Sequence, residues 1–338
     1  MKLKYMKCVA SKKGSSYTVA RTLYDITQYC SSITWSGSKH EVARKLQIDL
    51  INPINDPHIK VMTLKLGSLL YLYDDDNKEI FRGYIVERER GSNNTVSYTA
   101  YDLCFYLLKS KATYKFKKKA PEAIAKAVCS DVKVATGSLA KTGKKYNLLM
   151  KDRTIYEVIM AAYTKAKKST KQKYQLYASK GKVCIRKIGD DWFKIMLSAD
   201  TNIISSSNKE SIADVVNRVK IYDDKGKVLK VVKDQKSIVN YGVFQHTYTK
   251  EKDKDPTNSA KAMLRGVTRK MDLELIGYVG CVTGKCVKVK DTASGLEGKY
   301  YVESDTHTWR NGVHTMRIEL STTNDMDTQK ADTETKSS

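Results

Sequence analysis

The chain has 338 residues, 41% of them hydrophobic, and carries a formal net charge of +24. Such a length buries roughly three quarters of its surface and has room for two or three domains. Lysines break up the opening MKLKYMKCVASKKG, and no later stretch stays apolar for the length of a membrane span, so the expectation is a chain made in the cytoplasm and released from it by lysis. Seven cysteines without a C-x-x-C pair point to reduced, mostly buried thiols, the closest two, Cys281 and Cys286, being structural.

The charge is uneven. Phe105 to Lys187 holds 22 Lys and Arg against four acids, an excess of +18 that leaves +6 for the rest of the chain. An excess of this size marks a separate module with an acidic partner, whether protein, nucleic acid or cell-wall polymer. Its plain alternative is a lysine-rich surface kept for solubility.

Taken in order, Val42 to Leu50 reads as a strand, with Val42, Leu46, Ile48 and Leu50 on one parity and Lys45, Gln47 and Asp49 on the other. Asn52-Pro53 ends it. Strands over Lys65 to Tyr73, Ile80 to Glu89 and Thr95 to Tyr101 complete a first β-domain, residues 1–110. Leu103 to Leu108 is a short apolar run that fits a helix or a closing strand. The basic module, residues 111–195, opens a helix at Ala120-Pro121-Glu122 with Ile124, Ala127 and Val128 on one face. A second helix starts at the capping box Thr154-Ile-Tyr-Glu157 and lines up Ile155, Ile159, Ala162 and Ala166. Tyr174 to Ala178 and Lys182 to Ile188 form a hairpin around Ser179-Lys180-Gly181. Lys115, Lys117, Lys118, Lys119 and Lys165, Lys167, Lys168, Lys171, Lys173 flank the two helices and are the candidate docking residues.

A second β-domain, residues 196–322, begins with strands at Val215 to Tyr222 and Lys227 to Val232 around Asp223-Asp-Lys-Gly226. A tight segment from Ser237 to Gly242, a strand from Val243 to Thr249 and the charged loop Lys250 to Asp255 follow. A helix is then capped by Asp255-Pro256, with Ala260, Met263, Leu264, Val267 and Met271 at helical spacing. Its last part is a meander. Lys285 to Lys290 is followed by a loop over Asp291 to Gly298, then Tyr300 to Thr308, the hairpin dipeptide Asn311-Gly312, and Val313 to Leu320. Tyr301 and Ile318 belong to its buried face, Arg317 and Glu319 to its wet one. Residues 323–338 are polar, lack periodicity and read as a disordered tail.

The chain states this meander twice. Gly67 and Gly284 are each followed by apolar residues three and five positions on and then by a polar turn. Next come Tyr84-Ile-Val-Glu87 and Tyr300-Tyr-Val-Glu303, and each copy closes with a Gly/Asn turn and another strand. The same elements in the same order at nearly the same spacing argue for a duplicated β-domain, two related barrels in tandem flanking a small α+β domain in a mainly β chain.

Several of these segments resemble one family. Tyr300-Tyr-Val-Glu-Ser-Asp-Thr-His307 with Gly312-Val-His314, Asn217-Arg-Val-Lys-Ile-Tyr222, Ser237-Ile with Tyr241-Gly242, and Tyr156 to Lys165 are similar to the baseplate hub proteins of contractile phage tails. That family includes the late-control D proteins and the hub half of type VI secretion spike proteins, and its Gram-positive branch looks most alike. The resemblance implies a homotrimer whose two barrels per chain form a six-barrel ring. Such a ring joins the tail tube protein to the central spike protein, among other baseplate components and the tape measure protein, with DNA only as cargo in the channel. It implies a place in the tail baseplate of a virion or headless tail-like particle, and a structural role for Gly67, Tyr84, Glu87, Ser237, Tyr241, Gly242, Gly284, Tyr300, Glu303, His307 and His314.

Catalytic motifs are sparse. His307 and His314 flank the Asn311-Gly312 turn and meet across the hairpin without a third ligand, so no metal site is expected, nor is any cofactor. Neither G-x-S-x-G nor a nucleophilic cysteine context occurs. Glu303 and Asp305 lie two apart and so on one strand face, a spacing compatible with glycoside hydrolysis, but Glu87 and Glu89 repeat it in the first copy, which favours a structural role. Two rivals to a tail hub remain at this stage, a cell-wall hydrolase and a nucleic-acid-binding barrel protein, the latter for its tyrosines interleaved with lysines from Tyr163 to Lys187.

Overall fold

The structure, a computed structural model, describes residues 1–13, 16–51, 62–91, 94–251 and 255–332. Strands make up 52% of the described residues and helices 16%, so the fold is mainly β with an α+β part. The expected strand end at Asn52-Pro53, part of the Gly/Asn turn at 91–94, most of the charged loop before Asp255 and the last six residues lie outside the described residues. The chain divides into two compact units, one of Met1–Ser205, Leu273–Thr292 and Glu297–Ser338, the other of Ser206–Asp272 with Ala293–Leu296.

One strand order occurs twice in the main sheet. Cys30–Ser38, Lys45–Ile51, Thr95–Asp102, Glu79–Arg90, Leu69–Tyr73 and Lys2–Lys13 follow one another by hydrogen bonding. So do Ile203–Ser211, Thr268–Ile276, Val313–Ser321, Leu296–Arg310, Cys286–Asp291 and Leu197–Ser198. The two sets join where Ser304–Arg310 pairs antiparallel with Ser32–Ser38. The repeat extends to individual bonds. Gly67, at φ +78°, donates its N–H to Ile85 O at 2.8 Å and Ile85 N–H returns to Ser68 O at 2.9 Å; Gly284, at φ +89°, donates to Val302 O at 2.8 Å and Val302 N–H returns to Lys285 O at 2.9 Å. A β-bulge follows each, between Ile85 and Glu87 and between Val302 and Ser304.

These bonds make Ile85 the counterpart of Val302, so Tyr84 corresponds to Tyr301 and Glu87 to Ser304. The match of Tyr84 and Glu87 to Tyr300 and Glu303 is therefore one residue out, because likeness of side chains aligned it whereas the ladder sets the register. Tyr300 and Val302 are buried, while Tyr301 is half-buried and donates its hydroxyl to Asp190 at 2.8 Å, against the expectation that it faces the core. Elsewhere the alternation holds. Leu46, Ile48 and Leu50 are buried, as are Met316, Ile318 and Leu320. Val42 lies before the observed strand Lys45–Ile51 and packs on the helical core. Asn311 and Gly312 take φ of +52° and +76°, as the hairpin turn requires.

The α+β part packs the helices Cys104–Lys109, Pro121–Asp131 and Ile155–Thr170 with the pair Lys111–Lys119 and Tyr146–Thr154 and the three strands Tyr174–Ser179, Lys182–Lys187 and Thr136–Leu139. Pro121 opens its helix, where the missing N–H is not needed. Thr154 and Glu157 form the full capping box, Glu157 N–H to Thr154 Oγ1 at 3.2 Å and Thr154 N–H to Glu157 Oε2 at 2.8 Å. Ala127 is exposed; Ala125 and Cys129 take the place expected for it beside Ile124 and Val128.

Thr323 to Asp332, expected to be disordered, instead forms a strap on this body. Met326 is buried among the helices and its Sδ accepts from Tyr174 N–H; Tyr156 OH bonds Asp327 at 2.6 Å, Gln329 N–H bonds Thr164 Oγ1 at 3.1 Å, and Arg153 pairs with Asp332 at 3.1 Å. The polar sequence hides this because its single apolar anchor has no periodicity.

In the second unit Arg218–Tyr222 is the central strand, antiparallel to Val228–Lys233 and parallel to Gln245–Thr249. Val219, Ile221, Val232 and Ala260 form its small core. Ser237 to Gly242 lies in a helix, Gln235–Tyr241, capped by Asp234 and ended by Gly242 at φ +81°. The helix capped by Asp255 stops at Met263, so Val267 and Met271 are not on it; Thr268–Ile276 is a strand with Met271, Leu273 and Leu275 buried at period two.

The faces make a direct comparison testable. Ile318→Ala should lower stability by ~2–5 kcal/mol, as for a fully buried aliphatic side chain. Tyr301→Ala should cost far less, since Tyr301 lies at the partly exposed face of the strand and its hydroxyl bonds an exposed carboxylate. Urea unfolding of both variants decides, and equal losses would place Tyr301 back in the core.

Candidate functional site

The place where the two strand sets meet holds an enclosed carboxylate paired with an arginine. Asp305 is 1% exposed and receives Arg44 Nη1 at 3.0 Å and Nη2 at 2.5 Å, together with Thr283 N–H and Oγ1–H, each at 2.6 Å. Burial alone would push its carboxyl up, but Arg44, with His307 beside it, more than offsets this and holds it well below the usual carboxylate range. Arg44 reaches Asp305 across the intervening strand at Gly37. A Cβ there would lie 2.2 Å from Arg44 Nη1, so only glycine leaves the passage open. The Arg44 guanidinium also sits 4.0 Å from the Trp35 ring centroid.

His307 and His314 meet as expected, Nδ1 to Nε2 at 3.2 Å, with Trp309 stacked on His314 at 4.1 Å and Trp35 5.1 Å from His307. His307 Nε2 is 3.4 Å from Asp305 Oδ2 but not aligned for a hydrogen bond. Burial and the neighbouring His307 lower the His314 pKa to about 4, so the ring is neutral at physiological pH. Among the described residues no group of three or more His, Cys, Asp or Glu has the arrangement of a metal site.

The carboxylate pair proposed from spacing is not a pair. The bulge turns Glu303 to the surface, where it meets His40 Nε2 at 2.9 Å, and leaves Asp305 inside. Its supposed repeat, Glu87 and Glu89, is exposed and corresponds to Ser304 and Thr306. All seven cysteines are free, and burial pushes the Cys281 thiol up to about 12, away from nucleophilic character.

The signature positions of the second unit converge on a residue that the sequence reading left as part of a motif. Asn217, 1% exposed, donates Nδ2–H to Ser237 Oγ at 3.2 Å and to Gly242 O at 2.8 Å, and its Oδ1 accepts from Phe244 N–H at 2.8 Å. Tyr241 is exposed. Arg44, Gly37, Trp35 and Thr283 were missed altogether. The one usable signal was a glycine inside a strand pattern at position 37.

On the α+β body, Lys115, Lys117 and Lys119 lie on the strand Lys111–Lys119 rather than beside a helix, and all are exposed with Lys118. Lys167 is half-buried and Lys168 exposed on the helix Ile155–Thr170, and Lys171 caps its end at φ +61°. Lys165 Nζ bonds Asn147 O at 2.8 Å, and Lys173 Nζ bonds Asn324 O at 3.0 Å and Asp325 at 2.9 Å, so these two already have partners within the chain.

The fold that holds this doubled strand order and its buried ionic joint recurs in known proteins. The YQBQ-like family model matches residues 33–321. The chain belongs to this family. The YQBQ-like chain is 28% identical over 309 residues to the phage-like element PBSX protein XkdQ of Bacillus subtilis, covering 87% of this chain and 93% of that one. It superposes on the 43 kDa tail protein of prophage MuSo2 from Shewanella oneidensis with a TM-score of 0.67 at 12% identity, covering 95% and 97%. It superposes on the E. coli c3393 protein, a component of the type VI secretion system described as similar to T4 tail proteins gp27 and gp5, with a TM-score of 0.52 at 8% identity, covering 95% and 76%. The YQBQ-like chain thus has the fold of phage tail proteins. No helix among its described residues is long and apolar enough to cross a membrane.

The ionic joint gives a sharp expectation. Arg44→Met alone leaves a buried carboxylate without its cation and should cost ~3–5 kcal/mol, whereas Arg44→Met with Asp305→Leu removes both charges and should recover most of the loss. Urea midpoints of the two variants measure this, and a double variant no better than the single one would show that the pair contributes through packing alone.

Proposed function

We propose that the chain is the hub of a tail baseplate, a homotrimer whose six sheet copies form a ring between the tail tube and the central spike. The observation that carries this reading is the repeated strand order with the same glycine, the same pair of hydrogen bonds and the same bulge in each copy. Three chains with two equivalent copies each offer six similar units to a six-fold tube and three-fold symmetry to a trimeric spike, so one protein bridges the mismatch. The name of the c3393 relative, which couples type VI secretion with phage tail proteins, supports the same placement. A structural rather than catalytic role is supported by Asp305, which is neutralised by Arg44, and by Glu303, which turns away from it. The mass of the purified chain and of the chain cross-linked inside particles tests the reading: three copies are expected, and a monomer or an even-numbered ring in both settings would overturn it.

The basic α+β body is read here as a docking surface for an acidic neighbour in the baseplate. Lys117, Lys118, Lys119, Lys167, Lys168 and Lys171 are its candidates, while Lys165 and Lys173 serve the chain itself. Charges at a rim steer association more than they hold a fold together. Replacing Lys117, Lys118, Lys167 and Lys168 by Glu should therefore leave the melting temperature nearly unchanged and reduce incorporation into particles. Normal incorporation with an unchanged melt would return these lysines to the role of a solvated surface. Salt-dependent gel shifts on the same variant separate this from binding of nucleic acid.

A further inference from the structure

The joint inside the chain has an unoccupied counterpart. Ser304, Asp305, Thr306 and His307 pair with Ser38, Gly37, Ser36 and Trp35. By the shared bulge and ladder, the first-copy equivalents of the former are Glu87, Arg88, Glu89 and Arg90, because Ser304↔Glu319 and Asp305↔Ile318 repeat Glu87↔Thr99 and Arg88↔Tyr98. These four residues are exposed, and beyond Tyr84 the strand Glu79–Arg90 is paired on one edge only among the described strands.

The receiving edge is duplicated too. The counterpart of Cys30–Ser38 is Ile203–Ser211, which ends the sheet and pairs only with Thr268–Ile276 among the described strands. Arg44 stands two residues before the buried run Leu46, Ile48, Leu50 and crosses at Gly37; Arg269 stands two residues before the buried run Met271, Leu273, Leu275 and pairs with Glu210. Glu210 therefore occupies the place of Gly37, and Lys209 that of Ser36.

We propose that Glu87–Arg90 of one copy adds as a strand to the free edge of Ile203–Ser211 in a second copy, repeating between chains the joint seen within the chain. The register transferred from the repeat sets Arg88 opposite Glu210 and Glu89 opposite Lys209, two pairs of opposite charge. A slip of one residue either way sets Glu against Glu and Arg against Lys, which is unfavourable across a ladder. Glu210 would then lie between Arg269 and Arg88, as the empty Gly37 lies between Arg44 and Asp305. The two free edges differ from each other, so the contact is head-to-tail, the type of contact from which closed rings are built. The proposal rests on the ring reading given above and specifies which edges form it.

Cysteines introduced together as Glu89→Cys and Lys209→Cys test it, with each single variant as control and urea unfolding to verify the fold, since both positions are exposed. Oxidation of the purified double variant should yield linked dimers and trimers and nothing larger, and the single variants no ladder. In parallel, Glu89→Lys should shift assembly to about ten-fold higher protein concentration, and adding Lys209→Glu should restore it. A trimer by mass that neither cross-links nor responds to the charge reversal overturns the edge pairing and leaves the hub reading intact. A ladder that runs past three supports the edge pairing and overturns the trimer. A monomer by mass at every concentration, without cross-links, overturns both.

Discussion

The contact between Arg44 and Asp305 fixes how the two halves of the sheet meet. It spans three strands, and it does so because Gly37, in the middle one, has no side chain in the way. A buried ion pair adds little net stability, since desolvating both groups cancels most of their attraction, but an unpaired member is very costly. The pair therefore selects an arrangement. Any register that moves Asp305 from Arg44 and the Thr283 donors leaves a charge enclosed without a partner, so Ser304–Arg310 can sit on Ser32–Ser38 in one alignment only.

What the sequence made legible were features with local signatures. Asn311-Gly312 is a turn because two adjacent residues tolerate positive φ, Thr154 and Glu157 cap a helix because their spacing lets each reach the other's backbone, and Pro121 opens a helix because its N–H is not needed there. The duplication was legible too, though one residue out. A bulge carries no strong signature of its own. It inserts one residue into the alternation, so no reading at strict period two holds on both sides of it: Tyr300 and Val302 are buried before it, Asp305 and His307 after it. That single insertion explains both the misplaced Tyr301 and the false pairing of Glu303 with Asp305.

Other features were hidden because their causes lie far apart in the chain. The strap from Thr323 to Asp332 has the composition of a solvated tail. It is ordered by partners far earlier in the chain, Met326 entering the helical core and its acids meeting Lys173, Tyr156 and Arg153. Part of the positive excess of the α+β body is thus answered from within the chain. The spacing from Ala260 to Met271 read as one helix, but the helix ends at Met263 and Met271 joins Leu273 and Leu275 in an alternation of period two that belongs to a strand. Asn217 was visible only as a letter in a motif; its role depends on Ser237, Gly242 and Phe244 returning to it.

Duplicated edges carry a risk that identical ones would not escape, since either copy could pair with either partner. The two copies here have diverged where that risk is greatest. Asp305 set against Glu210 would bring two acids together, and Arg88 set against Gly37 would bring a second cation towards Arg44. In the proposed assembly each outgoing edge would thus fit one receiving edge and be repelled by the other, which is how a difference in affinity becomes a difference in partner. At Gly37 the acid Asp305 meets the cation of Arg44, and in the proposed joint Glu210 would meet a base from the second copy as well as its own Arg269. In the proposed ring, a common backbone register with exchanged charges would keep the order of copies unambiguous.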